Sequence, residues 1–234
     1  MNVRPLDRSA KRELLRGTPL FGVLKPAELD HLVGFALERR FAKGRTIMEH
    51  GSEGSNMLVL ATGRARVTAH APNGKEITLS ILGPGMTVGE MGLLDGQPRS
   101  ATVSAMDDCL TLVIERRDFL PFLHANGDLA LRLLGVLCER IRGTNQALEN
   151  IALMDLPSRL ARLLIKFGQQ YGVAGPRGLT IRLKLTQTDL STFVAATRES
   201  VNRQMRAWEE EGVLHEEDGY LVIRAPDALQ AIAE

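Results

Sequence analysis

The chain is poor in cysteine: 234 residues carry only Cys109 and Cys138. Two isolated cysteines form neither a disulfide framework nor a zinc site, and they point to a reduced, cytoplasmic setting. Long hydrophobic runs are also missing. The longest purely apolar stretches span a few residues against the roughly 20 that a membrane crossing needs, so no membrane partner is expected. Met1 to Arg16 carries basic residues around no apolar core, which is not the pattern of a secretory signal. His31, His50, His70, His124 and His215 are scattered, and no metal, haem or iron–sulfur site is expected. Finally, charge of one sign is lacking. The formal net charge is +1, and from Asp155 to the end ten Lys/Arg face eleven Asp/Glu. Phosphate neutralisation normally supplies most of the affinity for nucleic acid, so a DNA-binding reading needs a local constellation and not bulk charge.

What is present is a soluble globular composition, long enough for one large domain or two modest ones. Residues 17 to about 122 are rich in glycine and hold short β-type segments: Asn56–Ala61, Ala65–His70, Ile77–Leu82, Ala101–Ala105 and Leu110–Ile114. Turn signals separate them at Pro72-Asn73-Gly74, Gly83-Pro84-Gly85 and Asp95-Gly96, and this spacing predicts an all-β roll or barrel. A short helix is expected before it, from Lys25 to Leu37, opening at a proline.

Asp128 to about Met154 contains no proline and reads as one long helix. Leu134, Leu137, Ile141, Thr144, Leu148 and Ile151 are spaced 3, 4, 3, 4, 3, the a/d seam that buries a helix against a partner of its own kind. The alternative is a single amphipathic helix packed on its own domain. Against it, Arg140, Arg142 and Glu149 leave only a narrow apolar stripe, which favours a homodimer.

Asp155 then caps a helix with Pro157 in its first turn, running to about Tyr171. A loop follows from Gly172 to Gly178, and Leu179 to Leu185 alternates as a strand. Thr186-Gln187-Thr188-Asp189 resembles a capping box and opens a helix ending near Val194. Ala195 and Ala196 connect it to a helix capped by Thr197 that stops before Gly212. Val213–Glu216 and Tyr220–Ile223 form a hairpin across Asp218-Gly219. Two helices, a tight turn and a hairpin make a winged helix-turn-helix. The domains are expected at 17–127, 128–154 and 155–234.

Two constellations carry chemistry. In the last long helix Val201, Met205 and Trp208 form a buried face. Arg198, Glu199, Asn202, Arg203 and Arg206 lie on the other side. Arginine can bond guanine O6 and N7 together, and a carboxylate can accept from cytosine N4, whereas phosphates repel it. A Glu among Arg residues at a helix start therefore suits base reading, with recognition residues clustered at the start of the second helix. The competing reading is a solvated face carrying a Glu199–Arg203 pair. The second constellation is Gly89-Glu90-Met91-Gly92 through Arg99-Ser100-Ala101-Thr102. A buried Arg beside backbone amides and a hydroxyl cradles a phosphate, and a carboxylate nine residues earlier can accept a ribose hydroxyl. An ordinary glycine-rich surface loop is the alternative.

Gly89 to Thr102 resembles the phosphate-binding cassette of cyclic-nucleotide-binding domains. With the long helix ending Leu153-Met154-Asp155 and the run Arg198-Glu199-Ser200-Val201-Asn202-Arg203, roughly residues 17–225 resemble the CRP/FNR family of transcription regulators, in its cyclic-AMP receptor protein branch. The resemblance implies an α+β fold: an N-terminal double-stranded β-helix or jelly-roll cyclic-nucleotide-binding domain, a long dimerisation helix and a C-terminal winged helix-turn-helix. It implies an effector site in which Glu90 holds the ribose 2′-hydroxyl and Arg99 with Ser100 the cyclic phosphate. Gly89, Met91 and Ala101 line that site, Arg140 comes up against the ligand, and Thr144 meets the base with Asn145 of the other protomer. Asn145 departs from the serine of the best-known members, though amide and hydroxyl alike can donate and accept. Cyclic AMP is favoured over cyclic GMP through Thr144. On the DNA side Arg198, Glu199 and Arg203 match the base-reading triplet for a palindrome of TGTGA-like half-sites. Thr188, Thr197, Ser200, Asn202 and Arg206 are further DNA-site candidates. Double-stranded DNA and RNA polymerase are the implied partners. The acidic residues crowding the helix end and wing predict few wing–phosphate contacts.

No nucleophile or acid/base set points to an enzyme. Glu90 and Arg99 alone make a poor phosphodiesterase, lacking a metal-ligand cluster. Two other readings stand: a cyclic-nucleotide regulatory subunit that binds no DNA, for which a capped recognition helix has no use, and a ligand-independent regulator of the same fold.

Overall fold

The computed structural model describes residues 5–71 and 73–234. Pro72, which opens one expected turn, and the first four residues of the N-terminal stretch lie outside the described residues. The chain divides into two compact units, Met1–Arg142 and Gly143–Glu234.

The first unit runs α1 (Arg8–Arg16), α2 (Pro26–Phe35), β1 (Leu37–Phe41), β2 (Thr46–Met48), β3 (Asn56–Thr62), β4 (Ala65–His70), β5 (Glu76–Leu82), β6 (Thr87–Val88), α3 (Glu90–Asp95), β7 (Thr102–Ala105), β8 (Cys109–Glu115), α4 (Arg116–His124) and the start of α5 (Gly127–Leu153). Its strands pair antiparallel in two sheets, ordered β1-β8-β3-β6 and β2-β7-β4-β5. The five strands expected from sequence are β3, β4, β5, β7 and β8, with ends moved by a residue or two. The helix expected over Lys25–Leu37 instead ends at Phe35, because Leu37 pairs with Val113 and opens β1.

The β1-β8-β3-β6 sheet is covered on both faces, which accounts for the unbroken burial of Cys109 to Ile114 in β8, Thr111 included. Leu58, Leu60, Cys109 and Val113 face Ile47, Val103 and Ala105 of the other sheet. On the opposite side Met57, Val59, Leu112 and Ile114 pack under Leu15, Phe21, Leu29, Leu32, Phe119 and Leu129 of the helical layer. A period-2 strand buried on both faces loses polar alternation, as it does here.

Leu129 and Leu133 root α5 in that layer, and Leu137 packs against it as well. Leu134, Ile141 and Leu148 of the expected seam are exposed, whereas Leu137 is half-buried against the chain's own core. The exposed stripe runs instead through Leu131, Leu134, Cys138, Ile141, Asn145, Leu148 and Ala152, again at 3-4 spacing. Thr144 and Ile151 flank it.

The second unit holds the remainder of α5, then α6 (Leu156–Tyr171), β9 (Gly172–Gly175), β10 (Gly178–Ile181), α7 (Gln187–Phe193), α8 (Arg198–Glu210), β11 (Leu214–Glu217), β12 (Tyr220–Ile223) and α9 (Pro226–Ala233). The sheet order is β11-β12-β10-β9. The expected loop at Gly172–Gly178 is corrected to a strand, turn and strand, since Val173 and Ala174 pair with Thr180 and Leu179. The expected strand over Leu179–Leu185 stops pairing at Ile181. Its alternation continues without a ladder, Ile181 and Leu183 being buried and Arg182 and Lys184 exposed. Alternation here reports burial and not pairing. Asp155 caps α6 by accepting from Ser158 N at 2.9 Å. Asp218 and Gly219 both take positive φ, 52° and 76°, as a two-residue hairpin turn requires.

Among the described residues no helix is long and apolar enough to cross a membrane, and no three His, Cys, Asp or Glu side chains group as a metal site.

One ion pair ties the β3–β4 turn to the loop before β8. Arg64 Nε and Nη2 donate to the two carboxylate oxygens of Asp107 at 2.6 and 3.0 Å. The hydrogen bond from Arg64, above all, holds the Asp107 carboxyl below the usual carboxylate range. A depressed folded-state pKa gives stability that is complete above the unfolded value and is lost as pH falls through the folded one. Asp107→Asn is therefore expected to lower stability near neutral pH, by no more than about 1 kcal/mol for a partly exposed pair. It is also expected to flatten the acid limb of the stability–pH curve, measured by urea unfolding.

Candidate functional site

The cassette begins where β6 ends. Gly89 sits at φ 87°, and a Cβ there would meet Arg99 Nη1 and Met48 Cε at 2.6 Å, so only glycine fits. It turns the chain into α3, a helix that the glycine-rich sequence did not announce. The base of α3 is seated by a backbone contact: a Cβ on Gly92 would lie 2.9 Å from Gly54 Cα and 2.8 Å from Gln97 O. Its far end is closed by Arg116, whose Nε donates to Leu93 O at 2.8 Å and whose Nη2 donates to Leu94 O at 3.3 Å.

The structure brings Glu90, Arg99 and Arg140 into one polar cluster inside the first unit. Arg99 is 6 % exposed and donates to Gly89 O at 2.8 Å, to Asn56 O at 2.6 Å and to Asn56 Oδ1 at 3.0 Å. Burial lowers its pKa, and the carboxylates of Glu90 and Glu115 oppose that shift. Glu90 is 1 % exposed, and its Oε1 accepts from Arg140 Nη1. Arg140 Nη2 donates to Thr87 O, so α5 is hydrogen-bonded to the cassette on both sides of Gly89. The second carboxylate oxygen, Glu90 Oε2, is buried with no hydrogen-bond partner. A buried anionic oxygen without a donor is costly, and a hydroxyl is the natural group to satisfy it.

Ser100 and Met91 lie at the exposed side of the cluster, with Ser100 Oγ 3.9 Å from Met91 Sδ, and Ala101 follows half-buried. Thr144 and Asn145 are exposed on α5 within the second unit, Asn145 on the apolar stripe. Sequence reasoning missed Asn56 and Arg116. They lie 43 and 23 residues from their partners, and no local pattern announces such pairs.

The second unit shows a capped helix pair. Thr186 Oγ1 accepts from Asp189 N at 3.1 Å while Asp189 Oδ2 accepts from Thr186 N at 2.8 Å, a complete capping box at the start of α7. Ala195 takes φ 50°, which turns the chain tightly into α8. Thr197 Oγ1 caps α8 by accepting from Ser200 N at 3.1 Å and donates to Ser200 Oγ at 2.9 Å. These two candidates thus shape the helix start. Val201, Met205 and Trp208 form the buried face as expected.

Arg198, Glu199, Arg203 and Arg206 are exposed, and so is Thr188 at the start of α7. The Glu199–Arg203 pair of the solvated-face reading is not formed: among the described residues neither enters an ion pair. Asn202 accepts at Oδ1 from Gln187 Nε2 at 3.0 Å, which leaves its amino group to donate. A cleft of about 600 Å³ runs between α7, α8 and the wing, lined by Arg198, Asn202, Arg206, Gln187, Lys184 and Glu216 among others. Gln187 was missed, although the capping box already placed it in the first turn of α7.

Two family models match the stretches that contain the cassette and the helix-turn-helix. Residues 38–126 match the cyclic nucleotide-binding domain, and residues 158–232 match the Crp-like helix-turn-helix domain. A cyclic AMP receptor protein of Thermus thermophilus is 31 % identical over 219 residues, which cover 94 % of this chain and 98 % of that protein. A CRP-like cAMP-activated global transcriptional regulator of Mycobacterium tuberculosis is 25 % identical, over 93 % of this chain and 97 % of its own length. Among solved structures, FixK2 from Bradyrhizobium japonicum shares the fold with a TM-score of 0.76 at 18 % identity, covering 85 % of this chain and 98 % of that one.

Proposed function

The chain belongs to the CRP/FNR family of transcription regulators, and we propose that it is a homodimeric, cyclic-AMP-responsive regulator that reads palindromic DNA. A cyclic-nucleotide-binding domain and a DNA-binding helix-turn-helix in one chain support the broad class. The observation that carries the ligand is the buried, partnerless Oε2 of Glu90 beside Arg99.

In this reading Glu90 Oε2 accepts the ribose 2′-hydroxyl. Arg99 gives up part of its hold on Gly89 and Asn56, and with Ser100 it takes the cyclic phosphate, for which the guanidinium fork is matched. Gly89, Met91 and Ala101 line the site. Thr144 and the partner protomer's Asn145 take the base, with adenine favoured over guanine. Arg140 already shares the carboxylate of Glu90, so ligand entry alters what anchors α5. A ligand shifts the DNA-competent population only by binding that state more tightly.

The apolar stripe on α5 supplies the dimer. Leu131, Leu134, Ile141 and Leu148 are 57–69 % exposed in the single chain, and such a stripe at heptad spacing is buried by a second copy of itself. Two recognition helices about 34 Å apart then fit half-sites one helical turn apart. Arg198, Glu199 and Arg203 read TGTGA-like half-sites, and Asn202 adds a donor. RNA polymerase is the expected further partner, and the cytoplasm the expected location.

Two outcomes test this reading. Isothermal titration of the wild type is expected to show cyclic AMP binding more tightly than cyclic GMP, with Arg99→Ala binding neither. Wild-type behaviour of Arg99→Ala refutes the phosphate cradle, and a wild type that binds no cyclic nucleotide leaves the ligand-independent regulator as the reading. In sedimentation, Ile141→Asp is expected to convert dimers to monomers, because an unpaired charge buried in an apolar seam costs several kcal/mol. An unchanged dimer sinks the seam.

A further inference from the structure

The second unit has no excess of cations, yet it holds two together without a counter-ion. Arg182 and Lys184 stand two residues apart in extended chain just after β10, so their side chains leave the same face. Both lie over the ring of Tyr220 on the wing, Arg182 Cζ at 5.4 Å and Lys184 Nζ at 5.1 Å from its centroid. Both are exposed, and among the described residues neither forms an ion pair. The nearby cation Arg177, by contrast, is already paired with Glu217.

Two like charges held close to one aromatic ring repel each other, and an anion beside them relieves that repulsion. The ring attracts both cations and so orders them in advance. Lys184 also lines the cleft that holds Arg198, Asn202 and Arg206, which places the pair at the rim of the base-reading surface.

We propose that Arg182 and Lys184, organised by Tyr220, form a phosphate-binding site that grips the DNA backbone beside the recognition helix. The proposal rests on the DNA-binding reading above and revises the expectation of few wing–phosphate contacts. That expectation counted the acidic residues of the wing but not the cations that a different segment lays across it. The carboxylates of Glu209 and Glu216 line the same cleft. They repel phosphate there, which leaves the backbone contact to the cations beside Tyr220. The site therefore adds affinity without sequence preference, as backbone contacts do.

The test uses the full-length chain and a fluorescent duplex carrying TGTGA and its inverted copy, with and without cyclic AMP, across a KCl series. Each phosphate contact contributes about 0.9 to the slope of log affinity against log salt. Arg182→Gln/Lys184→Gln is expected to flatten that slope by about 1.8 per protomer, at unchanged base preference. Tyr220→Leu keeps both charges but loses their platform, so it is expected to flatten the slope by a smaller amount. Arg177→Gln removes an already paired charge and is expected to leave the slope near wild type. Equal slopes for the double variant and wild type, or equal flattening by Arg177→Gln, overturn the wing site alone. A wild type that binds no duplex in either condition overturns the DNA-binding reading and the wing site together.

Discussion

The first unit is organised around a carboxylate with almost no access to water. Glu90 is 1 % exposed, and a carboxylate is taken out of water at a cost of several kcal/mol unless opposite charge and hydrogen bonds offset it. Arg140 supplies one such partner through Oε1 and reaches past it to Thr87 O. Arg99 adds positive charge close by, itself buried and held by Gly89 and Asn56. The arrangement is satisfied on one carboxylate oxygen and not on the other. That imbalance is what gives a hydroxyl-bearing ligand something to gain. The partner of Glu90 belongs to α5, the same helix that carries the exposed seam. Occupancy of the carboxylate and the anchoring of the helix are therefore one electrostatic problem.

The DNA side is built on placement more than on charge. The helix-turn-helix is set by side chains bonding backbone: the Thr186–Asp189 box, the Thr197 cap and a left-handed Ala195 between them. Trp208, Val201 and Met205 then commit one face of α8 to the core. Among the described residues, Arg198, Glu199, Arg203 and Arg206 on the other face enter no ion pair. A domain with near-zero net charge has little nonspecific pull on DNA, so discrimination between sites costs it less in competition with bulk DNA.

Much of this was legible in the sequence, and the exceptions have a common cause. Caps, turns and the order of motifs are local, and Asp155, Thr186, Thr197 and Asp218-Gly219 sit where the chain predicted. The two-residue β6, the polar β1 and the glycine-bounded β9 are strands only because a neighbour pairs with them. The seam on α5 shows the limit most clearly. Leu134, Ile141 and Leu148 belong equally to a stripe flanked by Leu137 and Thr144 and to one flanked by Cys138 and Asn145. Periodicity cannot choose between them. The difference comes from Leu137, which is half-buried against the helical layer of the first unit. The contacts around Arg99 and Tyr220 were hidden for the same reason, since Asn56, Arg116, Arg182 and Lys184 meet their partners across long stretches of chain.

In a cyclic-nucleotide-responsive regulator, nucleotide in the cassette is expected to change how the helix-turn-helix meets DNA. Such coupling is reciprocal: if nucleotide tightens DNA binding, DNA tightens nucleotide binding by the same factor. The direct measurement is the affinity of the wild-type protein for the inverted-repeat duplex with and without saturating cyclic AMP, paired with nucleotide titration of the free and DNA-bound protein. The account predicts a gain of about tenfold or more, roughly 1.4 kcal/mol, equal in both directions. Identical DNA affinities in the presence and absence of nucleotide would contradict it.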